Sequence, residues 1–149
     1  MSAVRAIDDL MAALYSSISG PAGAPRDWAL HDSLYMPNAA IAVVRPDGTG
    51  AGAAAVEMLS PGEYRRTREP FLLRHGFFES ERARQVTLHG PFAHVVSEYE
   101  SRWRPDDEPF ETGTNVLQLV ETGSGWRVLA VAWIAGVAAS HIPATAFAP

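Results

Sequence analysis

The strongest constraint in this sequence is the stretch 77–135, where four long β-patterned segments follow one another with only turns between them. They span 77–89, 92–104, 110–121 and 126–135. Gly90-Pro91, Pro105-Asp106-Asp107-Glu108-Pro109 and Thr122-Gly123-Ser124-Gly125 separate them, and such residues interrupt strands and build turns. Connections this short admit only antiparallel pairing between sequence neighbours, so the second half of the chain is predicted to form a meander.

Ahead of it the pattern is mostly helical. Val4, Ile7, Leu10, Met11, Leu14 and Ile18 recur every three or four residues, predicting an amphipathic helix over 3–19 that Gly20-Pro21 stops. Tyr15 lies beside this stripe and reads as a core aromatic. Asp27 is placed to cap a short helix through Leu34, with Trp28, His31 and Tyr35 on one side; Pro37 ends it. A strand is expected over 39–44, with Pro46-Asp47-Gly48 turning the chain back through the small residues 50–55. Ser60-Pro61-Gly62-Glu63 has the form of a capping box and starts a third helix, which Pro70 should kink or interrupt near its end. Arg65, Arg66 and Arg68 read as its solvated face, with an anion site as the alternative.

Composition removes several function classes. The chain has no cysteine and no lysine, its 12 basic residues all being arginine, so thiol chemistry, thiolate metal sites and lysine Schiff bases are excluded. A net charge of −5 without a basic block offers nothing to nucleic acid. No apolar run reaches the roughly 18 residues of a membrane span, and the N-terminus lacks a cationic start, so a cytoplasmic protein with no metal and no cofactor is expected.

Regular alternation sorts the meander into two faces. With Tyr99 opposite Asn115 and Asn115 opposite Ala132, one face carries Phe78, Ser97, Tyr99, Asn115, Ala130 and Ala132, among larger apolar residues, and is placed under the helices. The small alanines facing a polar pair predict a ligand cavity, closed from the helical side by Trp28, His31 and Tyr35. Close packing with Asn115 bonded to the backbone is the alternative. The other face has an apolar centre, Val96, Val116, Leu129, Val131 and Trp133, beside Glu98 and Gln118; it is predicted to be a homodimer interface. Of the titratable groups, Glu79 is the best carboxylate candidate if a bulge near Ser80 turns it inward, with His31 and Tyr99 then as its acid–base partners; a structural histidine bonded to a carbonyl is the other reading of His31.

Helices, a short hairpin, a helix and a long meander, together with Gly76-Phe77-Phe78-Glu79, Gly90-Pro91-Phe92-Ala93-His94-Val95, Gly113-Thr114-Asn115 and Gly125-Trp126-Arg127, resemble the nuclear-transport-factor-2-like superfamily and, within it, the SnoaL-like branch. The resemblance spans about 4–135. It implies a cone-shaped α+β domain over 1–135, in which a curved antiparallel sheet packs on three helices, and it leaves an Ala/Pro-rich tail over 136–149. It further implies either a dimeric small-molecule-binding protein or an acid–base isomerase, cyclase or dehydratase; an association domain without ligand is the third reading. The catalytic residues of the family do not carry over. Arg45 stands where isomerases have their carboxylate base, Asn38 replaces the usual Asp, and Ala130 and Ala132 occupy the region of the last-strand histidines.

Overall fold

The computed structural model describes residues 2–136, so the predicted tail lies outside the described residues apart from Gly136. The elements run α1 (Ala3–Ile18), α2 (Trp28–Ser33), β1 (Tyr35–Pro46), β2 (Ala54–Leu59), α3 (Pro61–Arg74), β3 (Phe78–His89), β4 (Phe92–Arg102), β5 (Glu111–Thr122) and β6 (Gly125–Ala135). Each helix starts on a side-chain cap. Ser2 accepts from the Arg5 N–H and Asp27 from that of Leu30. Ser60 and Glu63 close a reciprocal capping box ahead of α3.

The helix ends are sealed by a residue the sequence did not single out. Arg26, only 6% exposed, donates to the carbonyls of Ile18, Pro21, Ala24, Gly20 and His75. A buried cation is tolerated because carbonyl dipoles replace its water, and here they come from the C-terminal ends of α1 and α3 and from the loop between α1 and α2.

Three local expectations change. The strand expected at 39–44 begins at Tyr35, so Pro37 falls within β1, at an irregularity between Tyr35 and Ala40, instead of ending α2. The return strand lies at Ala54–Leu59, where Val56, Met58 and Leu59 supply the strand propensity that the small residues 50–53 lack. α3 continues through Pro70 to Arg74, with the proline costing it one hydrogen bond.

The six strands form one open sheet in the order β2-β1-β6-β5-β4-β3. β3 to β6 are the antiparallel meander; β1 joins its free edge by pairing parallel to β6, so the sheet is mixed. The helices cover one face, where Ile7, Leu10, Met11 and Tyr15 of α1 meet Ile41, Val95, Leu117, Leu119 and Val128 of the sheet in a single core. No helix among the described residues is long and apolar enough to cross a membrane.

Two bulges reset the faces of the meander. In β3 the pairing steps from Glu81↔Tyr99 to Ala83↔Glu98, leaving Arg82 as the extra residue. In β6 it steps from Leu119↔Val128 to Gln118↔Ala130, leaving Leu129. One extra residue exchanges the faces on either side of it. The β6 bulge pairs Asn115 with Trp133 in place of Ala132, and an unbroken β4–β5 register two residues from the expected one pairs it with Ser97 in place of Tyr99. Ala130 and Ala132 turn to the uncovered face, while Val131 and Trp133 turn inward, the reverse of what regular alternation predicts. Glu79 and Glu81, opposite Ser101 and Tyr99, also face inward, and Phe78 does not.

Candidate functional site

A cavity of about 510 Å³ separates the helices from the inner face of the sheet. This volume lies in the range of small-molecule sites. On α3 it is walled by Tyr64, Arg68, Phe71 and Leu72, which share a helix face because they are spaced by four, three and one residues. From α1 come Met11, Leu14, Tyr15 and Ile18, and from the sheet Val43, Glu79, Tyr99, Asn115, Leu117, Val131 and Trp133. The wall is therefore mainly apolar and aromatic, with Glu79, Tyr99, Glu111 and Asn115 at the β3–β5 side and His31, Arg45 and Arg68 at the other.

Glu79 is the central polar group. Burial pushes its carboxyl up to about 8, the nearby Glu111 carboxylate adds to the rise, and hydrogen bonds from Ser101 and Asn115 only partly oppose it. Ser101 Oγ donates to Glu79 Oε2 at 3.4 Å. At neutral pH Glu79 is mostly a neutral acid that can give up its proton near the pH of the medium, the condition general acid–base catalysis requires.

Beside it runs a polarised chain of hydrogen bonds. Asn115 Nδ2 donates to the Tyr15 hydroxyl at 3.0 Å, Tyr15 and Ser97 are 2.7 Å apart, and Ser97 Oγ donates to Glu81 Oε2. Since Ser97 spends its proton on Glu81, Tyr15 must donate to Ser97. Glu81 is in turn 3.4 Å from Arg84, which reaches Asp8 at 2.8 Å. Burial raises the Glu81 carboxyl, against the pull of Ser97 and Arg84. The Tyr15, Tyr35, Tyr64 and Tyr99 phenols are likewise pushed up, chiefly by burial, and stay neutral. Gly113 belongs to this design: a Cβ there would meet the Tyr99 hydroxyl at 2.4 Å, so only glycine lets that ring lie across β5.

His31 occupies the other wall. Its Nδ1 is 3.3 Å from Asp32 Oδ1, and its ring stacks on Tyr64 at 5.2 Å and packs against Tyr35 at 4.8 Å and Trp28 at 5.2 Å. Burial lowers its pKa more than Asp32 raises it, so the ring is neutral and presents an acceptor at Nε2.

Of the residues singled out from the sequence, the structure brings His31, Tyr35, Glu79, Tyr99 and Asn115 to the cavity wall. Ser97 lies one layer behind, on Tyr15, and Trp28 lies behind His31. Phe78 lines a separate cleft beside α1, and Ala130 and Ala132 are on the opposite face, so the gap is not left by alanines. It lies between α1 and α3 on one side and the inner face of the sheet on the other. Val96, Glu98, Val116, Gln118 and Leu129 remain on the uncovered face, whereas Val131 and Trp133 line the cavity. Sequence reasoning placed Tyr15 in the core, where it lies, without its hydrogen bonds; it missed Tyr64 and Glu81 and read Arg68 as solvated. For Tyr64 and Arg68, their spacing of four residues ahead of Phe71 and Leu72 was the available signal.

An open α+β cone closed by three helices around an acid-bearing apolar cavity is the nuclear-transport-factor-2-like fold, and comparison with known proteins agrees. The chain is similar to a protein of unknown function with a cystatin-like fold from Nostoc punctiforme, at a TM-score of 0.68 and 12% identity over 92% of this chain and 93% of that one. It is similar to a candidate dehydratase of the nuclear-transport-factor-2-like family from Streptomyces avermitilis, at 0.66 and 15% over 91% and 96%. It is also similar to the β subunit of a candidate aromatic-ring-hydroxylating dioxygenase from Novosphingobium aromaticivorans, at 0.66 and 19% over 91% and 90%. No family model and no curated protein matches the sequence.

Proposed function

We propose that this chain binds a small, mostly apolar molecule carrying a carbonyl or hydroxyl group and moves a proton on it, with Glu79 as the acid–base residue, as an isomerase, cyclase or dehydratase does. The observation that carries this reading is a carboxyl held near neutral pKa in the wall of an apolar cavity. Such an arrangement costs folding free energy, and carboxyls with perturbed pKa values in clefts concentrate at sites that move protons. Tyr99 stands on the same wall to donate to an oxygen that gains charge, Asn115 holds Tyr15 and Glu79 in place, and neutral His31 supplies an acceptor across the cavity. The name of the Streptomyces avermitilis relative points the same way.

Proton transfer can be followed without knowing the natural substrate. In D2O, the protein should speed deuterium exchange at the carbon next to the carbonyl of 4-phenyl-2-butanone, and Glu79→Gln should remove about 10²- to 10⁴-fold of that acceleration. Binding of the ketone with no exchange would leave ligand binding without chemistry as the function.

The uncovered face of the sheet supports a homodimer as the working form. Val116 and Leu129 are exposed there, at 36% and 43%, next to Val96, Ala130, Ala132 and Ile134. Arg82 and Glu98, 3.1 Å apart, flank them. An apolar centre with paired charges at its edge suits association with a second copy.

A further inference from the structure

The cavity is electrically lopsided, and its charged end is the one where no hydrogen-bond relay lies. Glu79 and Glu111 stand on β3 and β5; Arg45 and Arg68 stand at the far side, on β1 and α3. Arg45 follows Ile41 and Val43 in the inward-facing alternation of β1 and is 57% exposed, so it sits at the cavity's edge. Arg68 is one turn beyond Tyr64 and 25% exposed, with its guanidinium carbon 5.9 Å from the Tyr64 ring centre. Both arginines face one carboxylate, Glu57 on β2, at 3.6 Å from Arg45 and 2.9 Å from Arg68. Two cations share one anion, which leaves a positive charge in excess at this end of an otherwise acidic protein.

We infer that the molecule taken by this cavity carries a carboxylate as well as its carbonyl or hydroxyl, with Arg45 and Arg68 binding the carboxylate at the β1–α3 side while the reacting oxygen lies at Glu79. The inference rests on the reading of the cavity as a ligand site and adds the class of ligand, an apolar or aromatic keto or hydroxy acid. An incoming carboxylate completes a two-cation, two-anion cluster with Glu57, and guanidinium groups bind carboxylates with two parallel hydrogen bonds where an ammonium would offer a point charge. Glu111 repels the same carboxylate from the other end, so charge alone fixes which way round the molecule enters. Arg45 on this view is a specificity residue.

The test compares 3-benzoylpropionate with its primary amide, two probes of nearly the same shape, by calorimetric titration at pH 7. The carboxylate is expected to bind about tenfold tighter than the amide. In the Arg45→Gln/Arg68→Gln double variant the two should bind alike. In Glu57→Gln, which frees both arginines, the preference should grow, a gain that a loss of structure does not produce. Equal or tighter binding of the amide to the unaltered protein would overturn the inference and leave the ligand site standing. So would a preference that survives in a folded double variant. Failure of both probes to bind at millimolar concentration would overturn it together with the ligand reading.

Discussion

The two faces of the sheet are made by alternate residues of the same strands, yet they solve opposite problems. On the inner face, Ser97 and Ser101 are fully buried and Tyr15 and Glu79 are desolvated, so every polar group must find a partner inside. The result is a connected network, Asn115 to Tyr15 to Ser97 to Glu81, with Glu79 left nearly neutral beside it. On the outer face, Arg102 pairs locally with Glu100, Arg82 reaches the buried Glu98 from the solvent side, and Val116 and Leu129 meet solvent. Burial without water raises pKa values and enforces networks; exposure screens charges and leaves apolar groups free to associate.

The largest effect that separates the faces concerns Glu79. Its folded pKa of about 8 lies above the ordinary carboxylate value of 4.5. Between these two values the unfolded chain has released the proton and the folded one has kept it, so rising pH favours unfolding. Stability is unpenalised below about pH 4.5, falls through that window and stays low above pH 8. A shift of this size is worth up to roughly 5 kcal/mol. Glu79→Gln should therefore be more stable than the unaltered protein at pH 9 and nearly equal at pH 4.5, as urea unfolding would reveal. An equal difference at both pH values would mean the carboxyl is not buried.

Next comes the register. Val131→Asp places a charge on the inner face and should cost about 3–5 kcal/mol, enough to unfold a marginal domain. Were the strand regular, Val131 would point to the uncovered face and the change would be mild.

A smaller loss is expected from Tyr15→Phe. Removing the hydroxyl takes the acceptor from one Asn115 N–H and the donor from Ser97 Oγ in the interior, at a cost of about 1–3 kcal/mol in thermal or urea unfolding. The smallest effect belongs to the outer face. Leu129→Lys should change chain stability by no more than about 0.5 kcal/mol while halving the mass seen by light scattering. A mass unaffected by the substitution would remove this face as the dimer surface.

These effects also mark how far the sequence could be read. The strand spans of the meander and both cap-defined helix starts were legible, because Gly90-Pro91, the 105–109 turn, Asp27 and the Ser60–Glu63 box act within a few residues. Which residues face inward was not, since it depends on two bulges at Arg82 and Leu129, and neither position carries a glycine or any other local mark. An uninterrupted alternation exchanges Trp133 with Ala132, and with them the cavity wall and the uncovered face. Glu79 became inward on the stated condition of a bulge in β3, which forms two residues beyond Ser80. Tyr15 was legible as core, but its hydrogen bonds were not, because its partners, Ser97 and Asn115, are 82 and 100 residues away in the chain. The parallel docking of β1 on β6 had no signal in either strand.

The most direct measurement is the titration of the Glu79 side-chain carboxyl by carbon NMR, assigned by its disappearance in Glu79→Gln. The midpoint is expected near 8, shifting when Asn115 is replaced by Ala, because that substitution removes a hydrogen bond that favours the charged form. A midpoint near the ordinary value of 4.5 would contradict a buried acid in the cavity and, with it, the proton-transfer function assigned to this chain.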